Sequence, residues 1–226
     1  MARINEMFTL KLDRNYPVLD TGVPLTVANE TGSVRKFADD YRPVFFTDMR
    51  MGDERPEKVY FESLAPGTRL IFNYYLAWEN ETHPQPIAHK LYEGFRTAVY
   101  GSIRDIEYVQ IMVSFRTGAV VGFAFERDPS GRFDHPAPKH DVIVCERKSD
   151  EDRFRISVNG AQQGAMPVAF EGKRLCILVA SWNHIYDFYD GQGARADDPP
   201  LVPLTDKLYK MYYMARRSRP PNRSSE

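Results

Sequence analysis

The run Arg69–Trp78 reads RLIFNYYLAW, and stretches of its kind dominate the chain. Aromatic and β-branched side chains of this density suit a pleated, half-buried surface. Period-two alternation recurs in residues 8–12, more weakly in 23–27, and again in 41–47, where Pro43 suits an edge or a strand start. It returns in residues 105–115, 119–127, 141–146, 153–158 and 174–184, with a continuation towards Tyr189 open. A chain written mostly in period two has to bury one face of a sheet against another.

Two segments break that rhythm. Pro86–Tyr100 places Ile87, Leu91, Phe95 and Val99 at four-residue steps, with Pro near the start and Gly101 just past the end. That is the pattern of an amphipathic helix. Residues 205–217 read as a second helix, capped by Thr205, with Leu208, Met211, Tyr212 and Ala215 on one face. Arg116, Thr117, Gly118 and Ala119 form a turn between two strands, the best hairpin in the chain. About nine strands with two peripheral helices predict a mainly β fold: a single-domain antiparallel β-sandwich, or a flattened barrel, over residues 1–218. Residues 219–226 read as a flexible polar tail.

Charge excludes some partners. Thirty basic and 31 acidic side chains give a net charge of −1, whereas nucleic acid and anionic membranes call for a basic excess. The apolar runs are far shorter than the roughly 20 residues of a membrane helix, so no membrane span is expected. The N-terminal residues lack the apolar core of a secretory signal. Cys145 and Cys176 lie inside strand-like runs and read as buried thiols in a reducing compartment, so a cytoplasmic location is expected.

Asp105 and Glu107 stand two apart at the entry of an apolar strand, so they share a face. A two-residue turn at Thr117 and Gly118 would set Val109 opposite Glu126, bringing Asp105, Glu107 and Glu126 to one hairpin end. Carboxylates at the end of a buried face must be solvated, paired with a cation or partly protonated. One reading is a divalent-metal site for Mg²⁺ or Ca²⁺ built from Asp105, Glu107 and Glu126, or else a carboxylate acid/base set. The other is a solvated strand end paired with Arg104, Arg127 or Arg132. Trp182, His184 and Tyr186 fall on one face of the last strong strand, making His184 either a proton carrier framed by aromatics or a satisfied core histidine. Tyr74 and Trp78 would add pocket wall. Phosphate loops and a serine nucleophile elbow are not in the sequence.

In order along the chain come Arg42-Pro43-Val44-Phe45-Phe46, Leu70-Ile71-Phe72-Asn73-Tyr74-Tyr75, Arg104-Asp105-Ile106-Glu107-Tyr108-Val109, a return strand, and Lys139-His140-Asp141-Val142-Ile143-Val144. This resembles the group joining vacuolar-sorting-type proteins with the necrosis- and ethylene-inducing-peptide-like cytolysins. The resemblance implies a β-sandwich whose acidic Asp-x-Glu motif binds a divalent metal, with Asp105 and Glu107 at the matching positions. Ser102 stands where that group has a histidine, Ile106 where it has an aromatic, and Glu126 lies near the place of a second histidine.

The leading expectation is an enzyme of the lyase, hydrolase or cyclase kind acting on a small organic or sugar-like substrate. Catalysis would fall to Glu107, Asp105 and His184, and substrate binding to Tyr74, Trp78, Trp182 and Tyr186. A non-catalytic module for glycans or lipid head groups uses the same residue types, and a structural homodimer would hide the aromatic excess in an interface.

Overall fold

The computed structural model describes residues 32–204 except 52–54, 65–67, 81, 84, 101–104, 136–138 and 148–150. The strand-like runs at 8–12 and 23–27, the helix-like run at 205–217 and the tail lie outside the described residues. Helix α1 is Gly32–Tyr41, followed by β1, Val44–Thr47, and a short 3₁₀ turn at Met49–Met51. Strands β2, Lys58–Leu64, and β3, Arg69–Trp78, lead to helix α2, Pro86–Tyr100. Then come β4, Asp105–Ser114; β5, Val120–Arg127; β6, Asp141–Glu146; β7, Phe154–Val158; and β8, Ala161–Met166. The described residues close with β9, Phe170–Glu171; β10, Arg174–Val179; β11, Tyr186–Phe188; β12, Ala194–Arg195; and β13, Leu201–Pro203.

The protein is mainly β, as its alternation predicts. Nine strands follow one another in the order β12-β1-β10-β11-β5-β4-β3-β2-β13, and β6, β7 and β8 branch from β5. Most pairs are antiparallel, but β1 with β10, β11 with β5, and β13 with β2 run parallel, so the sheet is mixed. It curls round one core, in which Phe45, Phe61, Phe72, Phe123, Phe125, Phe154 and Ile177 meet from six strands. Helix α1 seals that core with Ala38 and Tyr41. The Tyr74 hydroxyl donates to Ala38 O at 2.6 Å, and that of Tyr41 donates to Gly118 O at 2.7 Å. Cys145 and Cys176 are buried free thiols. Among the described residues no helix is long and apolar enough to cross a membrane.

The β4–β5 turn is two residues longer than expected, since Val113 stands opposite Val120 rather than Gly122. Val113 pairs with Val120, but Met112 pairs with Gly122, so Val121 is an extra residue on β5. Such a bulge reverses which face every later residue takes. The longer turn alone would set Val109 opposite Ala124; with the bulge it stands opposite Phe125 rather than the expected Glu126, and Phe123 and Phe125 turn into the core. Gly122 permits the tight passage, because a Cβ there would fall 2.4 Å from Met112 Cε.

The loop before β13 is clamped by two arginines. Arg174 donates to Asp198 Oδ1 at 2.5 Å and Oδ2 at 2.9 Å, and its Nε donates to Arg42 O at 2.8 Å. Arg42 donates to Pro199 O at 2.6 Å. The Arg174 hydrogen bond holds the Asp198 carboxyl below its ordinary value, against the opposing effect of burial.

The other face of β2, β3 and β4 carries a buried polar ladder. Glu62 Oε1 accepts from Asn73 Nδ2 at 2.9 Å and Tyr75 OH at 2.6 Å, and Gln110 donates to Asn73 Oδ1 at 2.8 Å. Burial pushes the Glu62 carboxyl up, and the bonds from Tyr75 and Asn73 offset this only in part. An acid whose folded value is raised loses stability as pH climbs from its unfolded value, about 4.3, to the folded one. Glu62→Gln keeps an oxygen for both donors and removes the charge. It is expected to raise stability by roughly 1 kcal/mol or more at pH 7. At about pH 3.5 both states of Glu62 are protonated, so the gain should vanish. Chemical denaturation at the two pH values checks this, and a gain of equal size at both would contradict it.

Candidate functional site

Asp105 and His184 meet because β4 and β5 separate. The two strands pair from Val113 to Val109 and then part. Beside Arg127 the vacated position is taken by Tyr186 of β11, running parallel to β5. The chain from β10 reaches that gap through a tight turn. Ala180 N donates to Ile185 O at 2.9 Å, His184 N to Ser181 O at 2.9 Å, and Ile185 N to Ser181 Oγ at 3.1 Å. The turn holds His184 at φ 62°, in the left-handed region that costs an L-residue roughly 1–2 kcal/mol.

This corrects the reading of residues 174–184 as one strand: β10 ends at Val179, and Trp182, His184 and Tyr186 do not alternate along a single face. The turn nevertheless delivers His184 to the acidic strand end. His184 Nδ1 lies 3.2 Å from Asp105 Oδ2, and the ring is 0% exposed. Its other face is covered by Trp78, parallel within 2° at 3.9 Å between centroids. Trp78 is directly paired with Asp105 across β3 and β4, so one register position supplies the carboxylate and the roof. An imidazole protonated at Nδ1 donates there to Asp105 Oδ2. Trp78 Nε1 is buried and has no hydrogen-bond partner among the described residues. Glu107 is also buried, on the same face as Asp105.

Trp182 is held by a hydrogen bond and two ring contacts. Its Nε1 donates to His135 O at 2.9 Å, while the rings of His83 and Tyr92 meet it edge-on at 4.6 and 5.5 Å. Asp128 anchors the loop carrying His135. Burial pushes its carboxyl up, but Ser130 N and Ser130 Oγ donate to it at 3.0 and 2.7 Å and hold it below its ordinary value. Sequence reading missed Ser181 and Asn183, whose side chains bond to each other at 2.7 Å inside the turn. Only a Ser-x-Asn spacing hints at that role.

Two expected site residues lie elsewhere. Tyr74 is fully buried and its hydroxyl serves α1. Glu126 is turned by the bulge to the opposite face, where its Oε2 lies 2.5 Å from His140 Nδ1. Asp105, Glu107 and Glu126 therefore do not form one donor set. Among the described residues no three His, Cys, Asp or Glu side chains converge to hold a metal ion. The residues present do not fit the three-carboxylate cation site.

No family model matches the chain, and no curated protein matches it. Solved structures do. The chain is similar to NLPPya in complex with mannosamine, at 12% identity and a TM-score of 0.40, over 81% of this chain and 76% of that one. It is similar to the structure described as a toxin fold for microbial attack and plant defense, at 12% identity and a TM-score of 0.43, over 83% and 80%. It is also similar to Necrosis and Ethylene inducing Protein 2 from the causal agent of cocoa's Witches Broom disease, at 13% identity and a TM-score of 0.39, over 83% and 79%. These are toxins of the necrosis- and ethylene-inducing type, the group that the sequence motifs resemble.

Proposed function

We propose that the end of the sandwich where β4 and β5 part binds a small organic or sugar-like ligand and moves a proton on it, in the manner of a lyase, hydrolase or cyclase. The observation that carries this reading is the enclosed Asp105–His184 pair, held at a left-handed backbone position beneath Trp78. Strained backbone is retained where surrounding structure enforces it, and such positions cluster at functional sites. Asp105 orients the imidazole, His184 carries the proton, and Glu107 is the second acid/base group. Trp78, Trp182 and Tyr186 supply the aromatic wall. Carboxylates and an indole N–H together suit a ligand that both donates and accepts hydrogen bonds, as a polyol does.

Full enclosure of His184 and Trp78 favours one other reading, a binding module in which the pair only fixes the shape of the site. Turnover and binding separate the two. With mono- and disaccharides as probes, proton NMR of the mixture reads product, and the unfolding midpoint reads binding. Glu107→Gln is expected to lower turnover at least about 100-fold, the usual scale for losing an acid/base group, while the fold persists. A raised midpoint without product would assign the site to binding alone. Unchanged turnover in Glu107→Gln would remove that residue from the chemistry. Because Glu126 lies on the face away from Asp105 and Glu107, unfolding with about 1 mM Mg²⁺ or Ca²⁺ is expected to match the metal-free result. An ion at one hundred times its dissociation constant would add about 2.7 kcal/mol, and such a rise would restore the cation reading.

A further inference from the structure

We propose that Ser181, with Asn183 behind it, is the positioning residue for His184, a role that rests on the reading of His184 as the proton carrier of the site. Among the described residues two non-glycine residues hold a positive φ, Asn159 at 48° and His184 at 62°. Asparagine enters that region with the help of its short polar side chain. The side chain of His184 is fully buried and engaged with Asp105 and Trp78, so the surrounding turn has to hold its backbone there.

The hydrogen bonds of the turn do this through one serine. Two residues facing each other in a hydrogen-bonded antiparallel pair exchange N–H···O bonds in both directions. Ala180 N donates to Ile185 O at 2.9 Å, but Ile185 N donates to Ser181 Oγ at 3.1 Å. One residue earlier, His184 N donates to Ser181 O at 2.9 Å. These two N–H groups belong to the peptide planes on either side of the His184 Cα. Ser181 therefore fixes both soft dihedrals of His184 at once.

Asn183 aims the serine. A hydroxyl has one proton and two lone pairs. The Ser181 hydroxyl donates to Asn183 Oδ1 at 2.7 Å, which turns its lone pairs to Ile185 N. Both side chains belong to buried residues, so the network is shielded from water. Without the hydroxyl the Ile185 N–H is released, the backbone of His184 relaxes towards negative φ, and the imidazole leaves its place between Asp105 and Trp78.

The ring protons of His184 report that place. Protons above the face of an indole are shielded, and the His184 ring lies parallel to Trp78 within 2° at 3.9 Å between centroids. In a ¹H–¹³C spectrum of the full chain its C–H signals are expected upfield of the ordinary histidine range. The chain has five histidines, and His184→Gly assigns these signals by their loss. Ser181→Ala is expected to return them to the ordinary range. Asn183→Ala keeps the serine bonds to His184 N and Ile185 N and removes only the acceptor of the hydroxyl proton, so a smaller shift in the same direction is expected. A role in stability alone would lower the unfolding midpoint and leave the signals in place. That result in both variants would overturn the proposal, and if Ser181→Ala does not fold, Asn183→Ala decides by the same criterion. Turnover of the mono- and disaccharide probes is read alongside. Displaced signals with unchanged turnover would remove His184 from the chemistry while the positioning stands. Fixed signals with lost turnover would overturn the positioning and leave the acid/base reading intact.

Discussion

Replacing His184 by alanine is expected to lower the free energy of unfolding by about 3–5 kcal/mol, the scale for removing one partner of a buried pair. Three losses combine. Asp105 keeps a desolvated carboxyl without the imidazole 3.2 Å away, Trp78 loses the ring stacked on it, and a cavity opens where the buried ring stood. The backbone supplies a control. His184 sits at φ 62°, where glycine is at ease and alanine is not. His184→Gly is therefore expected to be more stable than His184→Ala by about 1 kcal/mol, although it removes more atoms. Urea unfolding of the three proteins reads both differences. A cost below about 1 kcal/mol for alanine would contradict the buried pair, and glycine being the worse substitution would contradict the backbone argument.

Trp78→Ala is expected to cost about 3–5 kcal/mol, as for other large buried aromatics. Trp78→Phe should behave differently. It keeps an aromatic plane over His184 and removes an indole N–H that has no partner among the described residues, so its cost should stay near 1 kcal/mol. Trp78 and His184 touch, so their effects should not add. The double alanine variant is expected to lose less than the two single losses combined, because each removes the same stacked contact. Strict additivity would show that the parallel rings contribute nothing to one another.

Most of the strands were legible because their burial is one-sided. In β3 the inward residues Phe72, Tyr74, Leu76 and Trp78 alternate strictly, and β4 and β10 carry similarly strong apolar patterns. Helix α1 was readable from Val34, Ala38 and Tyr41 at helical spacing, but a neighbouring strand-like run from Tyr41 obscured it. Strand β2 and the short or polar strands β8, β9, β12 and β13 went unread. In β8 the sequence AQQGAM has no apolar alternation, since its pairing to β7 is backbone bonding at an exposed edge. Two local events were invisible. The bulge at Val121 leaves no mark in an apolar run, yet it turned Glu126 away from Asp105. The break after β10 interrupts a continuous apolar pattern and depends on Ser181 hydrogen bonds that spacing alone does not reveal.

The acidic half of the candidate site was therefore readable and its partner was not. Asp105 and Glu107 announce themselves as charges entering an apolar strand. That His184 reaches Asp105 depends on β11 filling the gap left by β4, a contact between segments 79 positions apart. The outward turn of Ile87 and Leu91 is a tertiary choice as well, since a helix pattern shows that an apolar stripe exists but not which way it faces.

The measurement that bears most directly on the proposed site is a titration of the two indole N–H signals in a ¹⁵N spectrum. The chain has two tryptophans, so both signals can be assigned with Trp78→Phe alone. Trp182 Nε1 already donates to His135 O, whereas Trp78 Nε1 has no partner among the described residues, its ring stacks on His184 and its backbone is paired with Asp105. With monosaccharides, amino sugars and small hydroxy acids as probes, the Trp78 signal is expected to move saturably for at least one class. Glu107→Gln should weaken that response about tenfold, the scale of one hydrogen bond to a charged group. A Trp78 signal that stays fixed with every probe, in a protein whose Trp182 signal is equally unmoved, would contradict a ligand site at this end of the sandwich.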